Sequence, residues 1–226
     1  MSTVNGYTIE PGTDLEGANL AEAHLRHANL QAANLEAANL SKADLYGVNL
    51  HHANLDQAKL RGAALDSANL QGVIADGADL TDSRMEDANL HGISLENAKM
   101  VKSEIISCNL FGANMSGADI RHANLYMSTL IQANLTHADL SRANLKEVVL
   151  YGANLENANL SGANLEGACL VNCNLKGALL KGADLDGANL EGTNLEGADL
   201  TGTILDENLE VENLDDSDFV NALLDD

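Results

Sequence analysis

The chain has 226 residues, with 34 Asp and Glu against 12 Lys and Arg and a net charge of −22. That excess of acid argues against direct contact with nucleic acid or an anionic membrane surface. Hydrophobic residues make up 45% of the chain but aromatic residues only 3%, and Trp is absent, which points away from a core built on large rings.

Residues 1–12 lack the basic start and apolar run of a signal peptide, and the expected compartment is the cytoplasm. Nowhere does an apolar run reach the length of about 18 residues that a spanning helix needs. From Leu15 to Leu205 a large apolar residue then recurs at every fifth position, 39 times in succession. Thirty-three of these centres are Leu, and the others are Ala75, Met85, Met100, Ile105, Met115 and Ile120. Two residues before the centre stands Ala in 27 cases, and one residue before it stands Asn or Asp in 26. A period of five fits neither a helix nor a flat strand.

In Ala163, Asn164 and Leu165 an extended backbone points Ala163 and Leu165 to one side and Asn164 to the other. The next inward pair is Ala168 and Leu170, so the chain turns a corner at Glu166–Gly167. Gly supplies the positive φ of a type II turn, and 17 of the 19 glycines occupy this corner position. The Asn or Asp beside each centre is placed to hydrogen-bond corner amides, a structural role.

The units Ala18-Asn19-Leu20, Ala43-Asp44-Leu45, Ala163-Asn164-Leu165 and Ala183-Asp184-Leu185 resemble the A(D/N)LXX consensus of the pentapeptide-repeat family. The Leu-rich repeats and the Gly6-to-Leu15 start look like its cyanobacterial or marine-phage members. The resemblance covers residues 13–205 and implies an all-β fold, a right-handed quadrilateral β-helix or square solenoid of about ten coils. Residues 1–12 would form an N-terminal cap, with Tyr7 or Ile9 over the first coil, because a solenoid end exposes open strands. After Leu205 the phase slips, and Glu207 and Glu212 fall at inward positions. Residues 206–226 are therefore expected to be an acidic C-terminal cap, either coil or a short helix capped at Ser217. Some resembling proteins dimerise through their C-terminal segment, which leaves a homodimer open here. Within the repeat, Val73 offsets the small Ala75, and the stretch 81–106 is the noisiest, so slight distortion is expected there.

With four corners per coil, residue numbers sort the outward side chains onto four faces. The first face (14–17, 34–37 and onward) carries net −7, the second (19–22) +2, the third (24–27) −6, and the fourth (29–32) a single charge, Glu191. The first face holds an acidic stripe of Glu16, Glu36, Asp56, Asp76, Glu96, Glu156 and Glu196. The uncharged fourth face carries Phe111, Ile131, Tyr151 and Val171, one per coil, with Val149 and Cys169 beside them. Tyr126 and Ile106 lie one corner away. These eight residues form a candidate protein-contact patch; the alternative is that outward positions drift and some are apolar by chance.

No nucleophile–base pair and no phosphate-binding GxxxxGK[ST] motif is present. Cys108 and Cys173 fall at inward positions as small apolar fillers, and the seven histidines are scattered over the outside. No catalytic residue, cofactor or metal is expected. Stacked carboxylates on a convex surface lack the enclosing oxygens that calcium prefers. The resulting expectation is a non-enzymatic interaction scaffold for an unidentified protein partner. One alternative, implied by the family, is a DNA mimic that binds DNA gyrase; another is a structural part of a virion or assembly. The net −12 of the coil body spread over about 48 Å is one charge per about 4 Å, against about 1.7 Å per charge in duplex DNA. The body is thus a weak electrostatic mimic.

Overall fold

Each five-residue unit places two residues inward and one between them outward, and then turns. The computed structural model describes residues 2–204, and the proposed C-terminal cap at 206–226 lies outside the described residues. From Asp14↔Asn34 to Asp184↔Ile204, the outward residue beside every centre pairs in parallel with its counterpart 20 positions on. One coil is therefore four units, and residues 20 apart stack in a column.

The interior is the stack of centres and small residues. Leu20, Leu65, Leu125 and Leu165 are fully buried, as are Ala43, Ala123 and Ala183. At about 1.5–3 kcal/mol for each buried Leu, this ladder is the main apolar contribution to stability. Val73 and Ala75 are both buried, so the exchange of volumes is accommodated. Pairing runs through 81–106 without a break. Ser83 and Ser103 are buried there, and their hydroxyls donate to the carbonyls of Leu80 and Met100, both at 2.7 Å. Satisfied in this way, a hydroxyl can replace an Ala methyl without opening the coil.

Main-chain hydrogen bonds follow one scheme. In the first unit the Leu15 N–H donates to Asn34 O (2.7 Å), Gly17 N–H to Glu36 O (2.8 Å) and Ala18 N–H to Leu15 O (3.0 Å). One coil later the Asn34 N–H donates back to Thr13 O at 2.9 Å. The remaining N–H, that of the residue after the centre, has no carbonyl partner. The side chain of the Asn or Asp before the centre accepts it, as Asn34 Oδ1 does from the Glu36 N–H at 3.2 Å. All 26 Asn and Asp residues at this position do so. The structural role assigned to them from sequence is their role in the fold.

At the start, β1 (Ser2–Val4) and β2 (Tyr7–Ile9) form an antiparallel hairpin pairing Ser2 with Ile9. Asn5 at φ 53° and Gly6 at φ 85° make its two-residue turn, the Asn-Gly pairing that suits a type I′ turn. Ile9 is buried, Val4 and Tyr7 pack on the core, and the Asn19 N–H donates to the Tyr7 hydroxyl at 3.3 Å. In later coils that N–H donates to the coil before.

Corner residues from Gly17 to Gly202 all lie at φ between 54° and 67°, whether Gly or not. Ala37, at φ 54°, adopts the conformation that Gly182 adopts at 65°. Gly thus lowers the cost of a corner that the hydrogen bonds impose. A Cβ added at Gly182 meets nothing within 4 Å, so only backbone strain opposes it. Gly182→Ala is expected to lose about 1 kcal/mol, and Ala37→Gly to gain up to about 1 kcal/mol. Urea unfolding midpoints check both; equal shifts of one sign would contradict the assignment.

Candidate protein-contact face

On the fourth face the bridges Asn109↔Thr129, Thr129↔Val149 and Val149↔Cys169 stack one column of outward residues. Beside it the second column is tied coil to coil: Gly112 N–H donates to Ile131 O, Gln132 N–H to Tyr151 O and Gly152 N–H to Val171 O. Phe111, Ile131, Tyr151 and Val171 therefore stand in successive coils. Phe111 and Tyr151 project, 37% and 45% exposed, with the half-buried Ile131 between them. His91 stacks on Phe111 with ring centroids 5.3 Å apart. Val171, Val149, Cys169, Tyr126 and Ile106 are half-buried.

Met127, 52% exposed at the corner after Tyr126, extends this patch. Its signal in the sequence is a large apolar side chain at a corner position that otherwise holds Gly, Ala or a polar residue. Ile74, Leu179 and Ile204 are also exposed but stand singly on other faces.

Where Thr129, Val149 and Cys169 replace Asn, the N–H groups of Ile131, Tyr151 and Val171 have no acceptor within the described residues. The amides of Gln31, His51, Gln71, His91 and Phe111 on the same face all have theirs. Elsewhere Asn is lost in consecutive coils at Ala64, Arg84 and Glu104 and at Ile74 and Ser94, but there the row of open amides is broken from the neighbouring coil. Two are filled from the neighbouring coil: Asp66 accepts from the Glu86 N–H at 3.1 Å, and Asp76 from the Glu96 N–H at 2.9 Å.

The acidic stripe forms one column on the first face, interrupted by Ser116, Thr136 and Lys176. Asp76 is occupied by Ser94 and the Glu96 amide, Glu36 and Glu156 accept from Asn54 and Asn174, and Glu196 binds Lys176 at 2.9 Å. Glu16, Asp56 and Glu96 share the column. The third face has a shallow cleft of about 450 Å³ lined by Arg26, Tyr46, Asp66 and Arg84. Its two cations are paired, Arg84 with Asp66 and Arg26 with Asp44, while Glu86 and Asp87 also line it. Among the described residues, no three His, Cys, Asp or Glu side chains gather as a metal site.

A family model for pentapeptide repeats matches in overlapping segments between residues 12 and 206. The chain belongs to the pentapeptide-repeat family. Its coils are those of the family's right-handed quadrilateral β-helix, and members are generally scaffolds rather than enzymes. QnrB1, a plasmid-mediated fluoroquinolone resistance protein, is 22% identical over 78% of this chain and 92% of its own, at a TM-score of 0.60. HetL, a pentapeptide-repeat protein involved in heterocyst differentiation regulation from the cyanobacterium Nostoc, is 32% identical over 88% of each chain, at a TM-score of 0.49. Among curated proteins none matches the chain.

Inside the pentapeptide-repeat coil, burial pushes the thiols of Cys108 and Cys173 up to about 12. Both stay protonated near neutral pH, and their sulfurs face main-chain carbonyls. A thiol-specific reagent at pH 8 is expected to label the half-buried Cys169 alone until the chain unfolds. Mass spectrometry of labelled peptides checks this; prompt labelling of Cys108 would contradict the packing.

Proposed function

We propose that this pentapeptide-repeat chain is a non-enzymatic interaction scaffold, a rigid rod of about ten coils that offers its fourth face to a protein partner. The observation that carries the reading is the column Phe111, Ile131, Tyr151 and Val171 on a face whose one charge is Glu191. Interfaces draw their energy from a few central aromatic and aliphatic anchors with charge kept to the rim, and this column has that composition. A filled coil interior and the absence of a nucleophile–base pair among the described residues favour binding over chemistry.

The acidic faces support DNA mimicry less well. A mimic of duplex DNA needs closely spaced and unneutralised negative charge. Here the stripe has two neutral gaps and a base, Lys176, in line, and Asp76, Glu156 and Glu196 are engaged with other side chains or amides.

The double variant Ile131→Ser/Tyr151→Ser tests the reading. These outward positions are expected to shift stability by no more than about 0.5 kcal/mol each. Partner recovery from an extract of the native host should fall by about tenfold or more. Unchanged recovery and unchanged solution mass would sink the proposal, and inhibition of gyrase supercoiling by the unmodified chain would favour mimicry instead.

A further inference from the structure

Resting on that reading of the fourth face, we infer that its occupant is an amphipathic helix of another protein, lying along the rod, with basic residues flanking its apolar stripe. Three features of the face select this chemistry.

Spacing is the first. The apolar column advances one coil at a time, about 4.8 Å, and a helix presents one side chain per turn of about 5.4 Å. A tilt of about 27° between the axes brings the two into step over four coils. An extended strand repeats each face at about 6.8 Å and keeps step only at a tilt of about 45°, which carries it about 5 Å sideways per coil and off the column.

The second is the row of three amides. The N–H groups of Ile131, Tyr151 and Val171 lie in consecutive coils without an acceptor among the described residues. Covering them requires a partner that brings acceptors, because a buried donor left unpaired weakens binding. Asn or Gln beside the apolar stripe of a helix meets the row at the same spacing. A second copy of this chain brings donors to donors.

Charge is the third. Glu104 and Glu147 on the third face and Glu156 on the first flank the patch and form no ion pair. The nearby Lys146 and Lys176 are held by Glu166 and Glu196 at 2.8 and 2.9 Å. A second copy, at −22, would set acid against acid, whereas Lys or Arg beside an apolar stripe finds opposite charge.

The probe is a fluorescent peptide of about 18 residues, with Leu once per turn, Gln next to the stripe and Lys on both flanks. The full chain should bind it with a Kd below about 100 µM, and a scrambled peptide or one with Glu for Lys about tenfold more weakly or worse. Val149→Asn/Cys169→Asn returns an acceptor to the Tyr151 and Val171 amides and restores the repeat. It should leave the melting temperature unchanged or higher and weaken the peptide by about tenfold. Equal binding of the scrambled peptide, or unaltered binding to this variant, would overturn the inference. So would a dimer that Ile131→Ser/Tyr151→Ser dissociates, which would make the occupant a second copy and leave the face intact. Peptide failure with variant-sensitive partner recovery rejects the helix alone; insensitivity in both assays removes the face as well.

Discussion

Of the five main-chain N–H groups in each unit, four donate to carbonyls and one cannot. The fifth belongs to the residue after the centre, where the chain has begun to turn and no neighbouring coil presents an oxygen to it. Asn or Asp two residues earlier supplies the oxygen, as Asn54 does for Asp56 at 3.0 Å and Asn164 for Glu166 at 2.9 Å. An exposed turn amide can turn to water, but a paired one steadies the corner. The positive φ and the 20-residue stacking persist where this acceptor is missing, as at Gln132 and Gly152, so the coil-to-coil hydrogen bonds set the corner and the Asn or Asp reinforces it.

The same requirement explains how the coil tolerates irregular units. Where Arg84 and Ser94 stand in the Asn position, Asp66 and Asp76 of the preceding coil accept the stranded amides and also bind the replacing side chains. The acids were visible in the sequence as surface charge, yet two of them are structural acceptors. Ser128 shows an inward version: its hydroxyl accepts the Cys108 N–H at 2.9 Å and donates to Ile105 O. Each of these three departures is paired locally, and the parallel pairing runs through them without a break.

Most of the fold was legible because one unit repeats in constant phase. Leu and Ala marked the inside, Gly marked many corners, and Asn or Asp marked the fifth amide. The corners at Ala32, Ala37 and Lys42 were less legible, since non-Gly residues at positive φ carry no local signal and are imposed by the coils on either side. The candidate face was legible in its apolar column, Phe111 to Val171, and in Val149 and Cys169. Met127 is less legible because corner positions lie outside the repeat's apolar pattern. The amide row is not legible in the sequence, because it is a loss of acceptors that shows only in the hydrogen bonds of the folded coil.

Function in such a rod lies where the outside departs from what the inside requires. On the fourth face the Asn ladder from Asn29 to Asn109 gives way to Thr129, Val149 and Cys169 over the same coils in which the neighbouring column turns apolar. Two columns changing together are what a contact surface needs and what independent drift does not supply. Residue-resolved amide hydrogen exchange tests the root of this account. The Ile131, Tyr151 and Val171 amides should exchange far faster than those of His51, Gln71 and His91 on the same face. Equal protection of the two sets would mean that the fifth amide is satisfied in some other way and would contradict the account.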